Sequence, residues 1–317
     1  IDFSDPFNII YSSGTTGVPK GILHDHMMRA VQMERIEYAG YNNTSRTLLS
    51  TPLYSNTTIV ALLPTLVGGG TIVLMPKFEA RDYLVLVEKE RCTHTMLVPV
   101  QYKRIMDVPT FDAFDLSSMR MKFSTSAPLR ADVKRDVLDR FPGGLTEYYG
   151  LTEGGGVTVL VADEHPDKLH TVGQLAPGND IRLIDAEGFA VPQGEVGEIT
   201  IKSGMVMKGY WNDTEQTKEA IRDGWMHTGD LAVFDDNGFC TVTGRVKDMI
   251  IRGGENIYPR EIEEFLFTHP QLREVQVFGV PDDRLGEEVC AWVVAADGAE
   301  LTPDALRQFC QGQIAHF

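Results

Sequence analysis

The sequence predicts an α/β fold: layers of a largely parallel sheet with helices, a small β-rich subdomain, and a smaller, mobile α+β C-terminal domain. Three observations predict it. Between Asn8 and about Val161, short apolar runs alternate with runs of helical spacing, the pattern of a parallel sheet covered by helices. From about Thr171, short strand-like runs recur with turn signals such as Asp235-Asp236-Asn237-Gly238. After Asp248 come a hairpin-like stretch, a helix started by Pro259, two strands and a final helix. The expected divisions are residues 1–170, 171–246 and 247–317.

In the first division, strands are expected at Asn8–Tyr11, Thr47–Ser50, Thr71–Leu74, Thr95–Val98, Arg120–Ser124 and Leu145–Tyr148. Helices are expected at His26–Tyr38, Thr58–Leu66, Ala80–Arg91, Val100–Asp107 and Arg130–Phe141. Gly68-Gly69-Gly70 and Pro142-Gly143-Gly144 supply helix stops. Further strands are expected at Asp180–Ile184, Glu198–Lys202 and Phe239–Thr243, a hairpin at Met249–Ile257, and strands at Glu274–Val280 and Val289–Ala295. A last helix starts at Thr302. Ligands on such sheets bind at loops beyond the strand carboxyl ends.

A formal net charge of −16 argues against nucleic acid as a partner. No apolar run approaches the roughly 20 residues of a membrane span. Cys92, Cys240, Cys290 and Cys310 lie far apart with no C-x-x-C pair, the usage of reduced thiols in a cytoplasmic protein. His24 and His26 have no third ligand nearby, so a metal site there is not expected. The first residue is Ile1, and the expectation is that the chain begins inside a longer gene product. An oligomer is compatible with the sequence.

The stretch with most chemical content is Tyr11-Ser12-Ser13-Gly14-Thr15-Thr16-Gly17-Val18-Pro19-Lys20-Gly21. Its glycines remove side-chain bulk, its four hydroxyls add donors, and Lys20 adds a positive charge. Such a loop can wrap phosphate oxygens with backbone N–H groups. It has neither Walker spacing nor G-x-G-x-x-G.

This run resembles the phosphate-binding loop of the adenylate-forming superfamily, which includes acyl-CoA synthetases and aryl-CoA ligases. Further blocks stand in that family's order: Tyr149-Gly150-Leu151-Thr152-Glu153, Met207-Lys208-Gly209-Tyr210-Trp211, Gly224 to Asp230, Gly244-Arg245-Val246-Lys247-Asp248 and Gly253-Gly254-Glu255-Asn256. The resemblance covers essentially the whole chain. It implies ATP-dependent activation of a carboxylic acid to an acyl-adenylate, with pyrophosphate released, then transfer to coenzyme A.

By that resemblance, Ser12, Ser13, Gly14, Thr15, Thr16 and Gly17 hold the β- and γ-phosphates, with Lys20 at the loop's end. Thr152 donates its hydroxyl to the α-phosphate, and Glu153 is the Mg²⁺ ligand. Tyr149, followed by Gly150, stacks on adenine, with Ser126, Ala127 and Pro128 along its edge. The family more often has Gly-Gly where this chain has Thr125-Ser126. Asp230 and Arg245 contact the ribose. Lys247 is the hinge about which the C-terminal domain swings, and Gly253 and Gly254 line the pantetheine tunnel.

For the acid, Pro52-Leu53-Tyr54-Ser55-Asn56 resembles the family's gating segment, with Ser55 where His is frequent. No Asp stands there to pair a substrate ammonium, which argues against an amino acid. Tyr102, Met106 and Val157 are candidate walls that serve equally as core. Gly154, Gly155 and Gly156 remove side chains, which suggests room for an aryl or medium-to-long acyl group. The family's C-terminal catalytic lysine has no counterpart, because no Lys follows Lys247. The chain is therefore expected to be truncated at both ends. Alternative readings are an adenylation module that loads a carrier-protein thiol, and a nucleotide-binding fragment without turnover.

Overall fold

The computed structural model describes residues 1–12, 19–34 and 36–314. Ser13 to Gly17 therefore lie outside the described residues. The chain divides into two compact units. One comprises Ile1–Arg182, Thr200–Thr228 and Phe234–Thr241; the other comprises Leu183–Ile199, Gly229–Val233 and Val242–Phe317.

The chain opens with strands β1 (Pro6–Ser12) and β2 (Lys20–Asp25), paired antiparallel with Ser12 opposite Lys20. This corrects the expectation that Asn8–Tyr11 joins the parallel sheet. Ser12 and Lys20, on either side of the glycine-rich stretch, are ladder neighbours running in opposite directions, whereas a parallel partner needs a crossover of a dozen or more residues. Helix α1 (His26–Met33) starts where the Asp25 carboxylate accepts the Met28 N–H at 2.8 Å, an N-cap. The expected single helix to Tyr38 is two pieces, α1 and the short α2 (Ile36–Ala39).

The main sheet has seven strands. They are β3 (Arg46–Leu49), β4 (Thr71–Leu74), β5 (His94–Leu97), β6 (Met121–Ser124), β7 (Gly144–Leu151), β8 (Gly155–Val161) and β9 (Gln174–Leu175). Their order is β4-β3-β5-β6-β7-β8-β9, parallel as far as β7 and antiparallel beyond it. Helices α3 (Asn56–Val67), α4 (Ala80–Glu90), α5 (Pro99–Met106) and α6 (Ala131–Arg140) connect the parallel strands. Successive side chains on a strand face opposite ways. Leu48 and Leu97 accordingly join a core with Tyr83, Tyr102 and Phe141, while Leu49 and Met96 join another with Ala61 and Phe123. Two buried lysines brace this sheet. Lys122 donates to the carbonyls of Phe141, Pro142 and Gly143, just beyond α6, where the helix dipole is negative. Lys134 pairs with Glu147 at 2.5 Å and donates to Leu169 and Thr171 carbonyls.

Strands β10 (Asn179–Ile184) and β11 (Gly197–Ser203) follow, then β12 (Gly209–Tyr210), which pairs with β2 and completes a small antiparallel sheet with β1. Helix α7 (Thr214–Ala220), capped by Asp213, was not expected in this β-rich stretch. Strands β13 (Ile221–Arg222), β14 (Trp225–Phe234) and β15 (Cys240–Arg245) join β10 and β11 in a five-stranded sheet. The C-terminal sheet is β17-β16-β19-β18, formed by β16 (Ile250–Arg252), β17 (Glu255–Ile257), β18 (Leu272–Asp282) and β19 (Gly286–Ala295). Helices α8 (Pro259–Leu266) and α9 (Pro303–Cys310) contribute to its core, which includes Ile250, Ile257, Leu266 and Val277. The α/β class and the small C-terminal domain are as expected. No helix among the described residues is long and apolar enough to cross a membrane.

Candidate functional site

The residues with most chemistry in the first unit gather where β2, β12 and the turn between β7 and β8 meet. Lys20 opens β2, and its ammonium lies 5.0 Å from the ring centre of Tyr210 on β12. The Tyr210 hydroxyl donates to Glu153 Oε1 at 3.1 Å, and the Met207 N–H donates to the Glu153 carbonyl at 2.6 Å. One aromatic ring thus ties the end of the glycine-rich loop to the acidic turn. Burial, with the Glu153 charge beside it, pushes the Tyr210 phenol well up, so it stays a hydrogen-bond donor.

Thr152, next to Glu153, is held from the other side. Its carbonyl lies 2.7 Å from Nε2 of the fully buried His24. Nδ1 of His24 lies 2.9 Å from Nη2 of Arg29, itself 3 % exposed. Arg29 also donates to Asn8, Gln32 and Asn56. Burial, with Arg29 nearby, pulls the His24 imidazole down to about 4.

Tyr149 and Gly150 lie on β7 itself rather than after it. Gly150 sits at a register shift against β8, where a Cβ would come within 2.0 Å of the Gly155 carbonyl oxygen. No other residue fits that approach. Ser126, Ala127 and Pro128 form an exposed loop after β6, the neighbour of β7. Glu147 ties loop to strand, since its Oε1 accepts the Leu129 N–H at 3.0 Å. Ser126 has φ +78°, a left-handed conformation that favours glycine, and its hydroxyl lies 2.6 Å from that of Thr57. A glycine here, which the resemblance implies is the family's more frequent choice, would suit that backbone; Ser126 holds it with a hydroxyl contact.

On the acyl side, Tyr54 is 81 % exposed, and Ser55 is the N-cap residue of α3 without a side-chain cap bond. Tyr102 takes the core alternative: it has no exposed surface, and its hydroxyl donates to the Phe123 carbonyl. Met106 and Val157 are buried too. The space left by missing side chains at Gly154 and Gly155 is filled by protein. A Cβ at Gly154 would lie 2.4 Å from Ile201 and 2.7 Å from Met226, and one at Gly155 would lie 2.8 Å from Met205. These glycines admit protein side chains, so they do not widen an acyl pocket as expected.

In the second unit, Arg245 Nε pairs with Asp230 Oδ1 at 2.8 Å, bringing the two expected ribose contacts together. Lys247 lies in a one-turn 3-10 helix, half exposed, 3.9 Å from Asp248. Gly253 and Gly254 form the two-residue turn between β16 and β17, with φ +62° and +91°. Both signs are those of a type I′ hairpin turn.

Three residues outside the expected set stand in this geometry: Tyr210, His24 and Arg29. Tyr210 was legible as part of the Lys208-Gly209-Tyr210-Trp211 block but carried no role. His24 and Arg29 have a weaker signal: polar side chains on a short strand and on the inner face of a helix. No group of three metal-ligating side chains occurs among the described residues. A cation held by Glu153 would take most of its ligands from phosphate and water, which suits Mg²⁺.

Residues 1–211 match the family model for AMP-binding enzymes, and residues 261–317 match that for the AMP-binding enzyme C-terminal domain. The chain is similar to the mitochondrial medium-chain acyl-CoA ligase ACSF2 of Danio rerio, 39% identical over 99% of this chain and 53% of that protein. It is 38% identical to a feruloyl-CoA synthase from an Amycolatopsis species, over 100% of this chain and 65% of that protein. Its fold is similar to ATP-bound MatB from Rhodopseudomonas palustris, with TM-score 0.90, 34% identity, and coverage of 98% of this chain and 62% of that one. The chain thus spans between half and two thirds of the length of these relatives. With both domain models matched in order, the first over most of this chain's length, the chain belongs to the AMP-binding enzyme family.

Proposed function

We propose that this protein activates a carboxylic acid with ATP and passes the acyl group to coenzyme A. The observation that carries the reading is the bridge from Lys20 through Tyr210 to Glu153. It sets the base of a glycine- and hydroxyl-rich loop beside a Thr-Glu turn.

In the first step a carboxylate oxygen attacks the α-phosphorus; the bond to the β-phosphate oxygen breaks and pyrophosphate leaves. In the second, the coenzyme A thiolate attacks the acyl carbonyl and AMP leaves with that carboxylate oxygen. This chemistry needs positioning and charge stabilisation more than a protein nucleophile. Ser12 to Gly17 and Lys20 receive the β- and γ-phosphates, and Thr152 donates to the α-phosphate. Glu153 holds Mg²⁺, which when bound neutralises developing phosphate charge. Tyr149 and Ser126 to Pro128 take adenine; Asp230 and Arg245 take the ribose. Lys247 is the pivot, and Gly253 and Gly254 admit the pantetheine arm, so that one chain serves both steps.

The acid is an aryl or medium-to-long acyl carboxylate. Support comes from the relatives, one a medium-chain acyl-CoA ligase and one a feruloyl-CoA synthase. A cytoplasmic location is supported by cysteine usage, four free thiols with no C-x-x-C pair. The test is a carboxylic acid panel read by pyrophosphate release. Release with aryl or medium-chain acids supports the reading; a panel in which only acetate and propionate react refutes the substrate class, and no acid-dependent release refutes the activity.

A further inference from the structure

The Arg29 cluster is costly to build. A guanidinium 3 % exposed is hydrogen-bonded, among the described residues, to four neutral acceptors: Asn8, Gln32, Asn56 and His24. Burial draws its affinity for the proton down to about 10. A buried charge is tolerated where directed hydrogen bonds satisfy its donors. Those bonds reach three separate segments. Asn8 is on β1, which feeds the glycine-rich loop. Asn56 opens α3, at the end of the Pro52-to-Asn56 segment. His24 reaches the turn after β7.

The arrangement fixes the histidine's protonation. Arginine can only donate, so Nδ1 of His24 accepts, and an imidazolium could not. The ring is therefore neutral with its proton on Nε2, and it donates to the Thr152 carbonyl at 2.7 Å. The same peptide unit leads into Glu153, so its orientation governs both the Thr152 hydroxyl and the Glu153 carboxylate. Displacements near 1 Å in such groups cost about 10²-fold in rate.

We propose that His24, locked in one tautomer by Arg29, is the positioning residue that aims the Thr152–Glu153 turn at the ATP phosphates. The inference rests on the reading above that this turn grips ATP. His24 touches no reacting atom and acts through the Thr152 carbonyl.

Two variants separate positioning from folding. His24→Asn keeps an acceptor for Arg29 where Nδ1 stands but is too short to reach Thr152. His24→Gln reaches it with an amide donor. In acid-dependent ATP–pyrophosphate exchange, H24N is expected to lose about tenfold or more in kcat/KM for ATP. H24Q should stay within about threefold of wild type, and both variants should still unfold in one cooperative transition, each lowered by a similar few degrees for its one lost buried hydrogen bond. A second readout needs no turnover. The Gly154 N–H is bonded to the Leu151 carbonyl within the turn. Its hydrogen exchange should quicken about tenfold or more in H24N and not in H24Q. Wild-type exchange kinetics in H24N, or identical defects in H24N and H24Q, would overturn the proposal. Absence of acid-dependent pyrophosphate exchange in wild type would instead sink the ATP reading, with the Gly154 measurement still deciding whether His24 holds the turn.

Discussion

Tyr210 donates its hydroxyl to the carboxylate of Glu153 at 3.1 Å, and the face of the same ring receives the Lys20 ammonium at 5.0 Å. The phenol therefore does two separable things. It orients one carboxylate oxygen by a hydrogen bond, and it holds a cation by its quadrupole. Tyr210→Phe removes only the first. Its expected cost is about 0.5–1.5 kcal/mol in stability and up to about tenfold in kcat/KM for ATP. In the proposed reading Lys20 meets phosphate and Glu153 the metal, so Lys20→Ala and Glu153→Ala should each cost about 10²–10³ in rate. Pyrophosphate exchange on the three variants checks the order; a Phe variant as damaged as the Glu153 variant would mean that the hydroxyl does more than orient.

Ser126 holds a left-handed backbone, and its hydroxyl lies 2.6 Å from that of Thr57. Ser126→Gly relieves about 1–2 kcal/mol of backbone strain. It also loses a hydrogen bond of about 1 kcal/mol and adds about 0.5–1 kcal/mol of unfolded-state entropy. The terms nearly cancel, so stability should change by less than about 1 kcal/mol. Ser126→Val keeps the strain, adds a β-branch and loses the bond, and should cost about 2 kcal/mol or more. Urea midpoints of both variants measure the difference.

His94 supplies a pH dependence away from the nucleotide groups. It is fully buried, stacked on Tyr41 at 4.6 Å, between Thr93 Oγ1 at 2.7 Å and the Ala39 carbonyl at 3.2 Å. Burial pulls its imidazole from 6.5 down to about 4. Below pH 6.5 the unfolded chain takes up a proton that the folded chain refuses until about pH 4. Stability present above pH 6.5 is therefore lost as pH falls through that window, by about 3 kcal/mol at the lower end. His24 titrates with the same sign. His94→Gln should flatten the fall of the urea midpoint between pH 7 and pH 4.5, and an unchanged slope would contradict the assignment.

Gly254 has φ +91° at an exposed turn, with no atom within 4 Å of the place a Cβ would take. Gly254→Leu strains the turn locally and projects a side chain outward. Adenylate formation should survive, while thioester formation should fall about 10²-fold if the pantetheine arm passes there. Equal loss of both steps would count against separate roles for this turn.

Much of the fold was legible because apolar periodicity survives in single elements. Thr71–Leu74 and Ala80 to Glu90 stand almost where the pattern puts them. The misplaced strand was β1, since a β-branched run looks the same whether its partner is parallel or antiparallel. β2 was not recognised at all, because Lys20 to Asp25 holds one glycine and two polar ends. Helix α7 has no buried residue, hence no apolar stripe to find. In the candidate site, motif order pointed to Thr152 and Glu153. Nothing in a linear pattern links His24 to Thr152 or Arg29 to Asn56, because those bonds exist only after β2, α1, α3 and the β7–β8 turn have packed. The same holds for Gly154, whose small size answers to Ile201 and Met226 rather than to a ligand.

The most direct measurement follows oxygen. The account requires a carboxylate oxygen to bond to the α-phosphorus and to leave with AMP. With a medium-chain or aryl acid labelled with ¹⁸O in its carboxylate, plus ATP, Mg²⁺ and coenzyme A, one labelled oxygen should appear in the phosphate of AMP for each thioester formed, together with unlabelled pyrophosphate. Unlabelled AMP, or ADP with inorganic phosphate as the products, would contradict it.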